Sequence, residues 1–251
     1  MIVRKNNHAL SLMREAGKRL AKVFEKIPLV IKTGMTSKEL DAFLECFLKE
    51  SGMHAECKGY GVPPFPAVSC ISVNDVIVHG IPNSIPFKEG DLVTVDICAS
   101  YNGYCADMAR TYFIGKPSSD KAIELVKAAY NALDAGIAMV LIGNRISDIS
   151  SAIQTVVESH GFGVVRDFAG HGIGKKMHED PEILNYGNKG KGPVIEEGMA
   201  FAIEPMITLG DYKVRMDADK WTARTADGSL AAHVEDTVIV TSDGPEITTR
   251  L

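Results

Sequence analysis

The sequence predicts a single α+β domain in which helices pack outside an antiparallel sheet. Three observations support this class: four segments have the apolar spacing of helices, an Asn-Gly turn joins two strand-like runs, and one helix pattern recurs later in the chain. No linker or low-complexity segment divides the chain. We therefore expect residues 1–251 to form one domain with two pseudo-symmetric halves, roughly 1–115 and 116–251.

Two helices are predicted near the N-terminus. Apolar residues recur at three- and four-residue steps over residues 12–27, until Pro28 interrupts the stripe. A second helix is expected to begin at Thr36, because Thr36 and Glu39 have the spacing of a capping box, and to end at Gly52.

A hairpin is predicted around Asn102-Gly103, because this dipeptide favours a two-residue turn with positive φ at both positions. Residue numbers that pair across this turn add to 205, so Asp107 faces Cys98. Asp96 lies two residues from Cys98 on the same face, which places the Cβ atoms of the two aspartates within about 7–8 Å. The two carboxylates can share an ion, or they can lie solvated on an exposed sheet face.

The second half contains two more predicted helices. Ser118 or Ser119 can cap a helix through Leu133, and Ser147 can cap another that ends before Gly161. The second and fourth helices match at a constant offset of 109 residues: Gly34, Leu40, Phe47, Leu48 and Gly52 correspond to Gly143, Ile149, Val156, Val157 and Gly161. This match favours an internal duplication about a pseudo-twofold axis, although two amphipathic helices can also resemble each other by composition alone.

Two apolar runs, over residues 199–208 and 233–241, are predicted strands, and each contains a glutamate. A buried glutamate is rare unless it is paired or binds a metal, so Glu204 and Glu235 are candidate ligands. His171 lies between two glycines in a segment that can present it at a site. By itself such a histidine is more often structural or exposed.

These candidates form one set with the two hairpin aspartates: Asp96, Asp107, His171, Glu204 and Glu235. Four carboxylates and one imidazole can hold two divalent cations, because four negative charges balance four positive ones. Ions in such sites lie about 3.5–4 Å apart and share a water whose pKa falls enough to supply hydroxide. Oxygen and imidazole ligands without thiolate favour Co, Mn, Fe or Zn.

The composition argues against several other classes. The chain has 27 basic and 32 acidic side chains and a formal charge of −5, which argues against a basic nucleic-acid-binding surface. No apolar run approaches the ~20 residues of a membrane span, and the N-terminus lacks the apolar core of a signal peptide. Five cysteines without a CxxC pair indicate reduced thiols, so we expect a cytoplasmic protein with no membrane and no specific nucleic-acid partner.

Three short motifs accompany the candidate ligands: His79-Gly-Ile-Pro, His171-Gly-Ile-Gly-x-x-x-His178-Glu-x-Pro and Ile203-Glu-Pro. With these motifs the chain resembles the bacterial-type type I methionine aminopeptidases over nearly its whole length. The resemblance implies the pita-bread fold, with a pseudo-twofold antiparallel sheet and helices packed outside it. It also implies removal of the initiator methionine from nascent proteins whose second residue is small.

The resemblance further implies a role for each site residue. Asp107 and Glu235 would bridge two metals, Asp96 would chelate one metal, and His171 and Glu204 would complete the other. A hydroxide that bridges the metals would attack the scissile carbonyl, with Glu204 as the proton shuttle. His178 would stabilise the oxyanion, and His79 would contact the scissile nitrogen. Methionine would occupy a pocket formed by Cys57, Tyr60, Phe65, Cys70, His79, Met177, His178 and Trp221, although Met177 and the cysteines can also be ordinary core residues.

Three features depart from the family pattern. The pocket loop before Cys70 is two residues longer than usual, and Met177 stands where phenylalanine is common. The segment Ala231-Ala-His233-Val-Glu235-Asp236 replaces the usual Ser-Ala-Gln-x-Glu-His, which brings an additional imidazole near the metals.

The same ligands allow other readings. A prolidase or X-Pro aminopeptidase shares the five ligands but usually carries an N-terminal domain, and a type II enzyme usually carries a helical insertion. A non-catalytic binding module of this fold typically loses ligands and gains basic extensions. The expected partners are therefore N-terminal methionyl peptides of nascent proteins, with at most transient ribosome docking, and a monomer is expected.

Overall fold

The computed structural model describes all 251 residues and contains five helices and fifteen strands. The helices are α1 (Asn7–Phe24), α2 (Ile27–Val30), α3 (Ser37–Glu50), α4 (Asp120–Ala138) and α5 (Ile146–Ser159). The strands are β1 (His54–Ala55), β2 (Cys70–Val73), β3 (Val76–Val78), β4 (Leu92–Tyr101), β5 (Tyr104–Phe113), β6 (Gly163–Val164), β7 (Ala169–Gly172), β8 (Glu179–Leu184), β9 (Ala200–Ile203), β10 (Met206–Thr208), β11 (Val214–Met216), β12 (Ala223–Thr225), β13 (Ala231–His233), β14 (Asp236–Thr241) and β15 (Gly244–Ile247). The predicted α+β class is confirmed.

Each half of the chain supplies one larger sheet. The first-half sheet has the order β1-β4-β2, with β5 also paired to β4, and the second-half sheet has the order β15-β14-β9-β7-β8. Two further sheets have three strands each, in the orders β13-β10-β6 and β11-β12-β3. The second of these joins strands from both halves. Strand pairing is antiparallel throughout, as predicted.

The central hairpin has the predicted register. Cys98 pairs with Asp107, and Tyr101 pairs with Tyr104 on either side of the turn. Asn102 and Gly103 have φ values of 48° and 78°, the positive values that a two-residue turn of this kind requires. The hairpin therefore carries its two aspartates on one face.

The caps of two helices also agree with the sequence. The Thr36 hydroxyl accepts a hydrogen bond from the Glu39 amide at 3.2 Å, and the Glu39 carboxylate accepts one from the Thr36 amide at 2.8 Å, which completes the capping box of α3. Ser119 caps α4. The helices α3 and α5 both have 14 residues, and their bounds keep the offset of 109 residues, from 37 to 146 and from 50 to 159.

The predicted start and end of the first helix are both wrong. Helix α1 begins at Asn7 and ends at Phe24, because the Asn6 side chain accepts from the Ala9 amide at 2.9 Å and so caps an earlier turn. Pro28 lies within the short helix α2, near its start, where a missing N–H costs little.

Helix α5 begins one residue before the predicted cap. Its first residue is Ile146, and the Asp148 carboxylate accepts from the Arg145 amide at 2.7 Å. Ser147 is therefore not the cap; its hydroxyl instead accepts from the Lys191 amide at 2.6 Å.

The two predicted strands that contain glutamates are each interrupted at the glutamate. The first is divided into β9 and β10 at Glu204-Pro205, because proline has no N–H for a strand ladder. The second is divided before β14, where the Glu235 amide donates to the Ala109 carbonyl of the first-half hairpin at 3.0 Å. Both acids thus leave their own sheets at the junction of the two halves.

A buried ionic network holds the chain beside Glu235. Asp236 is fully buried, and its carboxylate accepts hydrogen bonds from Arg110 at 2.6 Å, from Thr249 at 2.7 Å and from Arg250 at 2.7 Å. Arg110 also donates to the Glu235 carbonyl at 2.5 Å. The aspartate that replaces the family's usual histidine is therefore fully paired and fixes the backbone of a candidate ligand.

The apolar core has two main parts. One cluster of 24 buried residues lies largely in the second half beneath α4 and α5, and another of 20 lies in the first half beneath α1 and α3. None of the helices combines the length and the apolar character that a membrane crossing requires.

Candidate metal centre and substrate cavity

A cavity of about 240 Å³ lies between residues of the two halves. It is lined by all thirteen residues that the sequence predicts for the site: Cys57, Tyr60, Phe65, Cys70, His79, Asp96, Asp107, His171, Met177, His178, Glu204, Trp221 and Glu235. This volume is below the 300–1,000 Å³ that is typical of pockets for drug-sized ligands, so the cavity suits a ligand with one side chain. Five of its lining residues are the candidate ligands, and most of the others are apolar.

His171 is oriented as a metal ligand. It lies in β7, and its Nδ1 donates to the Gly172 carbonyl at 2.9 Å, which leaves the lone pair of Nε2 free. That Nε2 lies 3.5 Å from Glu204 Oε1 and 3.9 Å from Asp107 Oδ2. Gly172 must be glycine here, because a Cβ would clash with the carbonyl of Asp180 on β8.

The buried carboxylates lack enough protein partners. Asp107 Oδ1 and Glu235 Oε1 are buried and accept no hydrogen bond. Since a buried polar oxygen without a partner is costly, these atoms fit a site where a cation supplies the missing contact. Ligand atoms of Asp107, His171 and Glu235 lie within 4.8 Å of one another, which suits a shared ion.

Glu204 lies between two imidazoles. Its Oε1 is 3.5 Å from His171 Nε2, and its Oε2 is 3.3 Å from His233 Nε2. Glu204, His233 and Glu235 form a second group with ligand atoms within 4.8 Å. Glu235 belongs to both groups, so its carboxylate can serve two ions.

Asp96 is the remaining predicted ligand, and it lines the same cavity from β4. It lies opposite Cys70 in the strand register. Asp96 belongs to neither of the two close groups. The hairpin register therefore places it beside Asp107 at the edge of the acid cluster.

Burial raises the pKa values of all four carboxyl groups, and repulsion from neighbouring carboxylates adds to the rise for Asp96, Asp107 and Glu235. The pKa of Asp107 rises to about 7, and those of Asp96 and Glu204 rise to about 8, mainly through burial and, for the aspartates, through a neighbouring carboxylate. Burial also raises the pKa of Glu235 well above its usual range. Burial lowers the pKa of His171 to about 4, so its imidazole is neutral and able to bind a metal near pH 7.

These pKa values predict that metal binding releases protons. Ligand carboxyls must be deprotonated, so Co²⁺ that enters at about pH 6.5 should displace protons, and fewer at about pH 9. Calorimetric titrations in two buffers of different ionisation enthalpy measure the number released. Binding without proton release at the lower pH would contradict the raised pKa values.

The same groups set the pH dependence of the metal-free fold. Asp96, Asp107 and Glu204 keep their protons up to about pH 7–8 when folded but lose them near pH 4 when unfolded. Because the folded state then binds more protons, the free energy of unfolding of the metal-free chain should fall as the pH rises from about 4 to about 8.

Two further histidines lie at the cavity. His178 Nδ1 lies 2.8 Å from the Tyr60 hydroxyl, and its ring centroid lies 4.4 Å from that of His171. His79 has a positive φ of 57°, and burial lowers its pKa to about 4. The next residue must be glycine, since a Cβ on Gly80 would clash with the Ile71 carbonyl. Both imidazoles are held in place as neutral hydrogen-bonding groups.

Aromatic side chains form much of the apolar wall. Phe65 and Trp221 make an edge-to-face contact with ring centroids 5.3 Å apart, and Trp221 Nε1 donates to the Pro63 carbonyl at 2.9 Å. The longer loop therefore anchors the single tryptophan of the chain. Met177 is buried beside these rings and supplies a flexible thioether surface.

Five lining residues were not predicted from the sequence: Val78, Cys98, Phe168, Ala169 and Met206. A signal for Cys98 was available, because the hairpin register places it on the same face as Asp96 and Asp107. Phe168 lies edge-on to His79, with ring centroids 5.3 Å apart, and no local pattern indicates that contact.

Known proteins share this architecture. The profile of metallopeptidase family M24 matches residues 11–242. The methionine aminopeptidase of Clostridium acetobutylicum is 46% identical over 250 residues, which is 99% of each chain. The crystal structure of methionine aminopeptidase from Thermotoga maritima matches with a TM-score of 0.96 at 40% identity, over 100% of each chain.

A more distant structure shows the fold alone. The prolidase from Pyrococcus furiosus matches with a TM-score of 0.78 at 24% identity, over 99% of this chain and 66% of that one. The predicted pita-bread fold and the predicted family are both confirmed. The chain belongs to metallopeptidase family M24, and within it to the methionine aminopeptidases.

Proposed function

We propose that this chain is a metal-dependent methionine aminopeptidase that removes the initiator methionine from nascent proteins with a small second residue. The observation that carries the proposal is the convergence of five metal-ligand candidates and two further histidines on one small, largely apolar cavity. A relative of the same length, 46% identical and named methionine aminopeptidase, supports it.

The metal centre is proposed to hold two divalent ions, of Co, Mn, Fe or Zn. Asp107 and Glu235 would contact both ions, Asp96 would complete one, and His171 and Glu204 would complete the other. Bound divalent ions lower the pKa of water and polarise a carbonyl oxygen, which provides a hydrolytic nucleophile near neutral pH. The unpartnered oxygens of Asp107 and Glu235 support this assignment.

The side chains around the centre divide the proton transfers between them. Glu204, ionised when metal is bound, takes a proton from the attacking water and passes it to the leaving nitrogen. His178, held by the Tyr60 hydroxyl, donates a hydrogen bond to the oxyanion. His79 contacts the scissile nitrogen.

The apolar wall is proposed to bind the methionine side chain of the substrate. Cys57, Phe65, Cys70 and Met177 are buried, Trp221 is half-buried and Tyr60 is exposed. Soft sulfur and aromatic surfaces suit a thioether, since sulfur–aromatic contacts contribute about 0.3–1.5 kcal/mol each. Because the cavity is small, the second residue of the substrate would lie near its opening.

The alternative is a proline-specific peptidase of the same fold. The test is a comparison of Met-Ala-Ser with a peptide that has proline as its second residue, such as Leu-Pro-Ser, at equal concentration of Co²⁺-loaded enzyme. Release of methionine should exceed release of leucine by at least about 100-fold, because leucine lacks the thioether contacts and proline restricts the scissile bond. Faster cleavage of Leu-Pro-Ser would favour the prolidase instead.

The cellular setting belongs to the same proposal. We place the chain in the cytoplasm as one catalytic domain over residues 1–251, acting as a monomer on methionyl N-termini with at most transient ribosome docking. The acidic balance of 32 acidic against 27 basic side chains supports the absence of a specific nucleic-acid partner.

A further inference from the structure

We propose that His233 is an additional metal ligand, so that Nε2 of its imidazole binds one ion together with Glu204 and Glu235. The inference rests on the metal dependence proposed above but concerns a residue outside the five expected ligands. The resembled family usually has glutamine at this position, so its usual pattern does not supply this imidazole.

The distances fit a shared ion. His233 Nε2 lies 3.3 Å from Glu204 Oε2 and 4.0 Å from Glu235 Oε2. Ligand atoms that are each about 2.0–2.2 Å from one ion, at angles of about 90–109°, lie roughly 3–3.5 Å apart. The contact to Glu204 is already at this spacing, and the contact to Glu235 needs only a small side-chain adjustment.

The imidazole has no other partner in the protein. His233 is 1% exposed, and neither Nδ1 nor Nε2 makes a hydrogen bond, since the approach to Glu204 is not aligned as one. Buried side-chain nitrogens without partners are rare, because each costs the free energy of its lost hydration. A cation between His233 and the two glutamates would satisfy Nε2.

The backbone fixes the ring at this position. The Thr111 hydroxyl donates to the His233 carbonyl at 2.8 Å and accepts from the His233 amide at 3.3 Å, while β13 pairs His233 with Met206 of β10. Thr111 in turn lies 2.7 Å from the Thr94 hydroxyl, oxygen to oxygen. The backbone of His233 is therefore fixed by two strands, and burial of the side chain restricts rotation of the ring.

The assignment predicts two imidazoles, His171 and His233, at the ion that Glu204 completes. His171 faces Asp107 and Glu204, whereas His233 faces Glu204 and Glu235. An added neutral nitrogen donor leaves the charge balance unchanged but favours Co, Zn or Fe over Mn, which prefers oxygen ligands. Selectivity among metals thus becomes a readout that does not depend on peptide hydrolysis.

The primary experiment is X-ray absorption of the Co²⁺-loaded full-length protein, which counts imidazoles through their outer-shell scattering. Wild-type protein should give two imidazoles per two ions, and His233→Gln should give one. The glutamine variant restores the usual family residue, and His160→Gln, at a partly exposed histidine away from the cavity, serves as the matched control.

Calorimetric titration of the metal-free proteins provides a second measurement. His233→Gln should weaken the binding of one Co²⁺ by about 10- to 100-fold and of Mn²⁺ by less. Far-ultraviolet circular dichroism and thermal unfolding of the metal-free variants verify that the fold is retained, and the wild-type imidazole count needs no variant at all.

Either of two results would overturn the assignment. One imidazole in the wild-type protein excludes ligation by His233. Weaker Co²⁺ binding with an unchanged imidazole count would instead make His233 a positioning residue for Glu204. Because neither readout uses a peptide, a failure to hydrolyse Met-Ala-Ser would count against the proposed function and leave the imidazole count intact.

Discussion

Replacing Glu204 with glutamine is expected to lower kcat on Met-Ala-Ser by about 100- to 10,000-fold, the range that is typical for loss of a general acid–base group. The amide is nearly isosteric with the carboxyl group but cannot accept and return a proton. Glu204 is suited to that role, because it lines the cavity and its carboxylate oxygens lie beside His171 and His233. Its carboxylate oxygens lie within 3.5 Å of the Nε2 atoms of both His171 and His233, and no other acid at the site does so.

The fold should tolerate this replacement. In the metal-free chain the Glu204 carboxyl is largely protonated near pH 7, so a neutral amide resembles its ordinary state. The assay is made at saturating Co²⁺, with the bound metal measured in the same sample, to separate proton transfer from metal loss. Glu182→Gln, the same change at an exposed residue of β8, is the control. Turnover within about threefold of wild type at full occupancy would remove Glu204 from the proton transfer.

Removing the metal is expected to abolish turnover and to destabilise the fold together. Four carboxyl groups with raised pKa values gather at one cavity, and without cations they repel one another. Ions that bind only the folded state stabilise it by about 4 kcal/mol at a concentration 1,000 times their dissociation constant. Chelator-treated protein should therefore unfold at lower urea concentration near pH 7.5 than protein with Co²⁺, Mn²⁺ or Fe²⁺ restored.

Asp107→Ala offers the matched variant for this prediction. Loss of a carboxylate that faces His171 and has an unpartnered oxygen should lower the bound metal well below that of wild type. Added Co²⁺ should then fail to restore either turnover or the urea midpoint. Full stabilisation of the variant by Co²⁺ would remove Asp107 from the metal centre.

The hairpin shows what local sequence can predict. The turn Asn102-Gly103 determines the register by itself, and that register places Asp96 and Asp107 on one face. The capping box at Thr36 and the cap at Ser119 are equally local, and both were predicted correctly. Features that depend on a few neighbouring residues could be predicted without knowledge of the fold.

Features that depend on contacts between residues far apart in the chain could not be predicted from local sequence. Glu235 leaves its strand because its amide pairs with Ala109, more than a hundred residues earlier. Hydrophobic periodicity alone therefore predicted a continuous strand through Glu235. The interruption at Glu204 had a local signal in Pro205, which lacks an N–H, but the apolar run concealed it.

The helix boundaries failed for a different reason. Asn6 is a good cap, but the apolar stripe used for prediction began later, so the first turn of α1 was missed. At α5, Ser147 has the side chain of a typical cap, whereas the observed helix is stabilised by Asp148 accepting from the Arg145 amide. Competing caps of similar strength cannot be ranked from sequence alone.

Local sequence patterns also could not predict that the two halves meet at one cavity. Spacing suggested that four acids and His171 could hold metals, but only the resemblance to a known family assigned His79, His178 and the pocket residues. Their placement depends on strand order and on the bridge between Ala109 and Glu235. The unpartnered nitrogens of His233 could be seen only in the structure.

The most direct test of metal-dependent hydrolysis is a titration of chelator-treated enzyme with Co²⁺, in which bound metal and the hydrolysis of Met-Ala-Ser are measured in the same samples. We expect no turnover without metal and a rise with occupancy that reaches its plateau at about two ions per chain. Undiminished turnover by protein with far less than one ion per chain would contradict it.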